Sequence, residues 1–410
     1  MTDERLRSGA EQRDSAGSGP GGVPTEEAQG QQARRTAVET AIAGVLEPEL
    51  ERTLADLGLV RGVAVDGGRV HAVVALTTPE NPTAPELAQR ITDAAGAVDG
   101  VTGIDIEFSV LTDDERVALR RRLLGDPHAT AGTTEAHGHA EGRAIPFNQP
   151  GSHTRALLIA SGKGGVGKSS VSTNLAVALA AQGHRTAIVD ADVWGFSIPR
   201  MLGIHRPPTL IDEMLVPPRA NGVTCISMGF FADESQPVIW RGPMLHKALE
   251  QFLTDVYWGE PDFLVVDLPP GTGDISISLA SFLPQSEVYV VTTPQPAAER
   301  VAQRAAFMAQ KVGLEVKGII ENMSWFTGDD GTRYELFGAG GGAALAERLD
   351  VPLVGQVPLV PALREGSDDG EPVAAVDPDS EAGQVFAEMA RTIAVDLAPT
   401  KRRHPELRIV

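Results

Sequence analysis

A doubly wound α/β fold with a mainly parallel sheet, preceded by a small α+β domain, is the architecture that the 410-residue sequence predicts. Three observations carry this. Between residues 155 and 398, short continuous apolar runs alternate with stretches patterned at helical spacing. The first run is joined to the first helical stretch by a glycine-rich segment, "GKGGVGKS" (162–169). An earlier patterned region of roughly 90 residues, enough for a unit with its own core, is set apart by two polar, glycine-rich segments.

Residues 1–35 are rich in Gly, Ser, Gln, Glu and Arg. So few large apolar side chains cannot offset the entropy of ordering, and the segment reads as a disordered tail. In 36–124, "TAVETAIAGVLEPEL" is patterned as a helix, "RVHAVVALT" alternates as a strand, "PELAQRITDAAGAV" is helical, and "VTGIDIEFSV" is a second strand. Residues 125–154 read as a flexible linker. In the second unit the runs "ALLIA", "TAIVD", "VTCISM", "FLVVD", "EVYVVTT", "KGIIEN" and "LVGQVP" are candidate strands. Continuous apolar runs are expected when helices cover both sheet faces. Residues 399–410 form a short tail.

The net charge of −20 repels nucleic-acid phosphates and anionic lipid, which disfavours partners of either kind. No apolar run reaches the length of a membrane span, "MTDERLRSGAEQ" lacks the features of a secretion signal, and "PTKRRHPELRIV" is too short and proline-interrupted for an amphipathic anchor. A single cysteine, Cys225, rules out an intrachain disulfide and suits a reducing compartment. A cytoplasmic protein is expected.

"GKGGVGKS" fits the phosphate-loop pattern without a gap, in the strand-to-helix context the pattern requires. Gly162, Gly164, Gly165 and Gly167 let the backbone of the loop, Val166 included, curl its N–H groups towards phosphate oxygens. Ser170 continues into the helix whose positive end assists. Lys168 is placed to neutralise phosphates and Ser169 to ligate Mg²⁺. "FLVVD" ends at Asp267, a candidate for holding the metal's water shell, and "TAIVDAD" places Asp190 and Asp192 at another strand end. Those two share one face if the strand continues, and a turn beginning at Ala191 would alter that. Lys163, at the second position of the loop, points away from the loop's own nucleotide. It contributes most if another subunit's nucleotide lies opposite.

The loop with its extra lysine resembles the deviant Walker A of the ParA/MinD class of P-loop ATPases. The strings "DADVWGFSIPRMLG", "FLVVDLPPGTGD", "GIIENMSWF" and "LFGAGGGAALAERLDVPLVGQVPL" are similar to its Mrp/ApbC branch of iron–sulfur cluster carriers. "VLEPEL", "LADLGLV" and "VALTTPENPTAPEL" resemble the small domain of cluster-assembly factors. The resemblance implies a slow, Mg²⁺-dependent ATPase working as a homodimer that transfers clusters, such as [4Fe–4S], to apoprotein clients together with other assembly proteins. It makes Lys163 a residue that reaches the partner subunit's ATP, Lys168 and Ser169 the phosphate and Mg²⁺ contacts, and Asp192 the residue that orients the attacking water. Asp190 and Asp267 become metal-shell carboxylates, and Asn322 a contact to adenine.

Cluster-carrying members of the branch hold a C-x-x-C after the "NMS" segment, where this chain has "WFTGDDGTRYELFG", and a small-domain cysteine where it has Asn81. Cys225 reads as a core residue. Asp329, Asp330, His128, His137 and His139 read as solvated loop and linker residues. A second reading of the chain is therefore an ATP-dependent switch or adaptor that carries no cluster.

Overall fold

A computed structural model describes residues 26–125, 145–149, 151–192, 195–231, 242–271 and 274–399. Helix α1 (Glu26–Ala43) opens the first unit, so residues 26–35 are helical where the sequence suggests a disordered tail. Polar contacts hold this stretch: Arg35 pairs with Glu39 one turn on at 2.8 Å, and the Arg34 guanidinium donates to the carbonyls of Asp99 and Gly67. Then follow α2 (Leu54–Leu57), β1 (Val60–Asp66), β2 (Arg69–Leu76), α3 (Ala84–Gly96), β3 (Gly103–Val110) and α4 (Asp113–Leu124). The three strands lie in the order β1-β2-β3, with β1/β2 antiparallel and β2/β3 parallel. Strand β1 escaped the sequence reading although Gly67 and Gly68 mark its hairpin turn. Helix α4 escaped it as well, despite a capping box in which Thr112 and Glu115 exchange side-chain and backbone hydrogen bonds.

The second unit runs β4 (Arg155–Ser161), α5 (Lys168–Ala181), β5 (Thr186–Asp190), α6 (Ile198–Met201), β6 (Thr209–Ile211), β7 (Met214–Val216), β8 (Arg219–Ala220), β9 (Val223–Ser227) and α7 (Gly242–Thr254). It continues with β10 (Phe263–Asp267), α8 (Asp274–Phe282), β11 (Glu287–Thr292), α9 (Pro296–Lys311), β12 (Glu315–Asn322), β13 (Phe326–Thr327) and β14 (Arg333–Tyr334). It closes with α10 (Gly341–Leu349), β15 (Leu353–Val357), α11 (Pro361–Asp369), α12 (Val373–Val376) and α13 (Glu381–Arg391). Eight strands form one sheet in the order β15-β12-β11-β4-β10-β5-β9-β8, parallel except for the β8/β9 edge. All seven apolar runs named from the sequence are strands of this sheet.

Alternation along each strand divides the core. Leu158, Leu264 and Val266 pack with α7, α8, α9 and α10 on one face, while Leu157, Ile159 and Val265 pack with α5 and α13 on the other. At the lower end of the sheet, Arg155 forms a bidentate pair with Glu287 at 2.8 Å and donates to the carbonyls of Ile393 and Leu397, pinning the C-terminal helical segment.

The two units share a core. Ile211, Met214 and Val216 of the β6–β7 hairpin, with Tyr257, are buried among Val38, Leu50, Leu54 and other apolar side chains of the first unit. Ion pairs rim the seam: Arg206 with Glu49, Arg219 with Glu51, and Arg120 with Asp212 at 3.5 Å. The segment expected to be a linker is partly docked. Ile145 is buried in the core of the large unit, and the Thr154 hydroxyl donates to the Pro261 carbonyl at 2.6 Å. His128, His137 and His139 lie outside the described residues.

Candidate nucleotide site

The upper ends of β4, β5 and β10, next to one another in the sheet, bring the predicted residues together. The loop between β4 and α5 is set by close backbone approach. A Cβ on Gly162 would lie 2.2 Å from the backbone carbon of Val301 on α9, and Gly167 combines a φ of +76° with a would-be Cβ 2.2 Å from the Asn322 amide nitrogen. A side chain at Gly162 would require the loop or α9 to move, and one at Gly167 would strain the backbone and displace the Asn322 amide. Asn322 donates from Nδ2 to the Val166 carbonyl at 2.8 Å, so in this structure it braces the loop from behind.

Asp267, at the end of β10 and 0% exposed, gathers the side-chain donors of α5. Its Oδ2 accepts from Lys168 Nζ and from Ser169 Oγ, each at 2.6 Å, and its Oδ1 accepts from Ser172 Oγ at 2.6 Å. Lys168 is 6% exposed and also lies 3.7 Å from Asp192 Oδ2. Strand β5 ends at Asp190, so Asp192 sits in the turn that follows. Asp190 is fully buried, accepting from Ser227 Oγ at 3.0 Å, the Asp192 N–H at 3.2 Å and the Ile198 N–H at 3.3 Å. Burial, reinforced by the charge of Asp267, pushes the Asp190 carboxyl up to about 8.

Gly164 and Gly165 are exposed with Lys163 on the open side of the loop. Ser170, half-buried, accepts at its carbonyl from Asn174 Nδ2 at 2.9 Å, and Asn174 in turn accepts from the Ala374 N–H at 3.0 Å. Sequence reasoning missed Ser172, Asn174 and Ser227. Ser172 stands one helical turn after Lys168 on the sheet-facing side, a spacing that marks it in retrospect. Ser227 carries no comparable signal, because only the β5/β9 register places it beside Asp190.

The residues present suit a magnesium nucleotide. Gly164 and Gly165 leave the open side of the loop clear, Lys168 and the Ser169 hydroxyl lie at the helix start, and the remaining donors, on Asp190, Asp192 and Asp267, are hard carboxylate oxygens. Fold and site together define a P-loop NTPase.

Comparison with known proteins narrows the class. Residues 152–394 match the family model described as ParA, NUBPL iron-transfer P-loop NTPase, and residues 35–106 match that of the iron–sulfur cluster assembly protein. The iron–sulfur cluster carrier protein of Mycobacterium leprae is 45% identical over 363 residues, 87% of this chain and 91% of its own. That of Bacillus subtilis is 37% identical over 361 residues, 88% and 97% of the two chains. A solved nucleotide-binding protein from Archaeoglobus fulgidus, in complex with ADP, is 34% identical with a TM-score of 0.47, covering 53% of this chain and 88% of that one. The chain belongs to the NUBPL-type iron-transfer P-loop NTPase family.

Among the described residues no helix is long and apolar enough to cross a membrane.

Proposed function

We propose that the protein is an ATP-hydrolysing iron–sulfur cluster carrier of the cytoplasm that works as a homodimer. The observation that carries the reading is the convergence of Lys168, Ser169 and Asp267 at the phosphate loop of a chain 45% identical to a named carrier.

Asp267 accepts from Lys168, Ser169 and Ser172. Lys168 would bind the phosphates of ATP, and Ser169, Asp190 and Asp267 are the residues that would hold Mg²⁺ or its water shell. The metal supplies charge neutralisation at the phosphates. The loop's N–H groups bind the phosphates, Asn322 holds the loop and lies next to the base, and Asp192 orients the attacking water. Lys163 of each chain reaches the ATP of the other, so hydrolysis is slow in the monomer and tied to dimer closure. The small unit (36–124), joined by the 125–154 segment to the ATPase unit (155–398), recruits assembly proteins and clients.

Turnover and solution size with and without Mg·ATP test this. Wild type should dimerise with ATP, and Lys163→Ala and Asp192→Ala should each lose on the order of a hundredfold in turnover while still binding ATP. A wild type that stays monomeric with ATP, or full turnover in Lys163→Ala, rejects the dimeric arrangement.

A further inference from the structure

We infer that the iron–sulfur cluster is held by thiolates supplied from outside this chain, which contributes none of its own. The inference rests on the carrier reading above and states how carriage works in this protein. Clusters of the [2Fe–2S] and [4Fe–4S] types are commonly held by four cysteine thiolates. The chain has one cysteine, and a dimer therefore brings two.

Neither of those two is placed to bind iron. Cys225 lies at the centre of β9, an interior strand of the large sheet, and is 0% exposed. It stands in register with Ile188 of β5, its N–H donates to the Pro218 carbonyl at 2.9 Å, and its side chain belongs to the same apolar cluster as Val223 and Val265. Burial and the neighbouring Asp190 push its thiol well above the usual range, so the thiolate that iron requires is disfavoured. Reaching a cluster would mean pulling β9 out of its ladder with β5.

Among the described residues other side chains do not replace the thiols. Among the described residues no three His, Cys, Asp or Glu side chains converge as a metal-holding group. In the β13–β14 hairpin, Asp330 is turned onto the Thr332 N–H and hydroxyl, both at 2.9 Å. The cargo therefore keeps thiolate ligands that belong to another molecule. Transfer is redox-neutral ligand exchange: an iron–thiolate bond to the donor breaks as one to the acceptor forms, and the acceptor thiol's proton passes to the departing thiolate. The chain's part is to hold donor and acceptor together and release them with the nucleotide cycle.

The test is anaerobic reconstitution of the full-length protein with ferric iron and excess sulfide, which also serves as reductant, followed by desalting, iron counting and visible absorption. One sample is kept free of thiols, a second is kept in glutathione, and a third is mixed with a cluster-loaded, cysteine-bearing donor protein and re-isolated. Wild type and Cys225→Ala should both come through the thiol-free arm without cluster and retain it with glutathione or in complex with the donor, the two outside sources being told apart by which arm fills. A cluster retained in the thiol-free arm overturns the inference, and its loss in Cys225→Ala or in His128→Ala/His137→Ala/His139→Ala would identify the internal ligands. Three empty arms also overturn it. Donor-to-acceptor transfer with and without ATP judges the carrier reading separately: no ATP effect there rejects that reading whichever arms fill.

Discussion

Strands β4 and β12 run parallel, one strand apart in the same sheet, yet the segments leaving their upper ends are built in opposite ways. After β4 the chain closes into a glycine loop whose lysine and serine are gripped by a buried carboxylate. After β12 it opens into the small β13–β14 hairpin, with residues 329–340 exposed and Tyr334, Leu336 and Phe337 facing solvent. That hairpin is anchored at its base: Trp325 Nε1, Thr327 Oγ1 and Arg333 all donate to Glu381 at the start of α13, and the Arg333 guanidinium sits 4.2 Å over the Trp325 ring. The first segment carries the residues its chemistry needs. The second, where the resemblance leads one to seek cluster ligands, presents a surface and no thiol. Nucleotide chemistry is thus written into this chain's own backbone and carboxylates, whereas cargo chemistry has to be completed by a partner.

Breaking the first segment should have the largest effect. Lys168→Ala removes the cation between buried carboxylates and, with it, the proposed phosphate contact. ATP turnover should fall at least about a hundredfold, and stability should drop by roughly 3 kcal/mol because Asp267 is left buried without its counter-charge. Steady-state hydrolysis and denaturant unfolding measure the two. A variant with normal turnover would remove Lys168 from the site.

The same carboxylates set a pH dependence of intermediate size. Asp190 is pushed up to about 8 in the folded protein, against an unfolded value near 3.9. Between those values the folded state binds a proton that the unfolded state releases, so stability falls as pH rises, by at most about 1.4 kcal/mol per pH unit for one group. Glu47 of the small unit, pushed up to about 7 chiefly by burial, acts in the same direction. Melting temperature should decline from pH 5 to pH 8, and Asp190→Asn and Glu47→Gln should each flatten part of that decline. A slope unchanged in both variants would contradict the assignment.

Loosening the second segment should cost least. Glu381→Ala removes three hydrogen bonds at the base of the hairpin, but the carboxylate is partly exposed. After discounting for solvent, a loss of about 1 kcal/mol is expected, with faster amide exchange in 325–340 and unchanged ATP turnover. Loss of hydrolysis in this variant would show that the two segments are more tightly joined than the packing indicates.

The contrast also explains what could be read from the sequence. The glycine loop, the strand-end positions of Asp190 and Asp267, and the seven strands named from the sequence, six of them interior and β15 at the edge, were legible because buried parallel strands need unbroken apolar runs and phosphate loops need glycine at fixed spacings. Strand β1 was missed because Arg61 and Gly62 interrupt its alternation, and β6–β7 because its strands are three residues each. The polar start of α1 looked disordered because its stabilisation comes from Arg34 reaching Asp99 and Gly67, contacts between positions far apart in sequence. Ser227 and the interunit pairing of Glu49 with Arg206 were hidden for the same reason.

The most direct test of the central claim is ATP-dependent cluster transfer by the cysteine-free variant. Cys225→Ala, checked for folding by its melting curve, is placed between a loaded cysteine-bearing donor and an apo-acceptor, and the acceptor's gain of cluster is followed by visible circular dichroism. Transfer at the wild-type rate with ATP is the predicted result. Abolished transfer in a folded Cys225→Ala protein with normal ATP turnover would contradict the account.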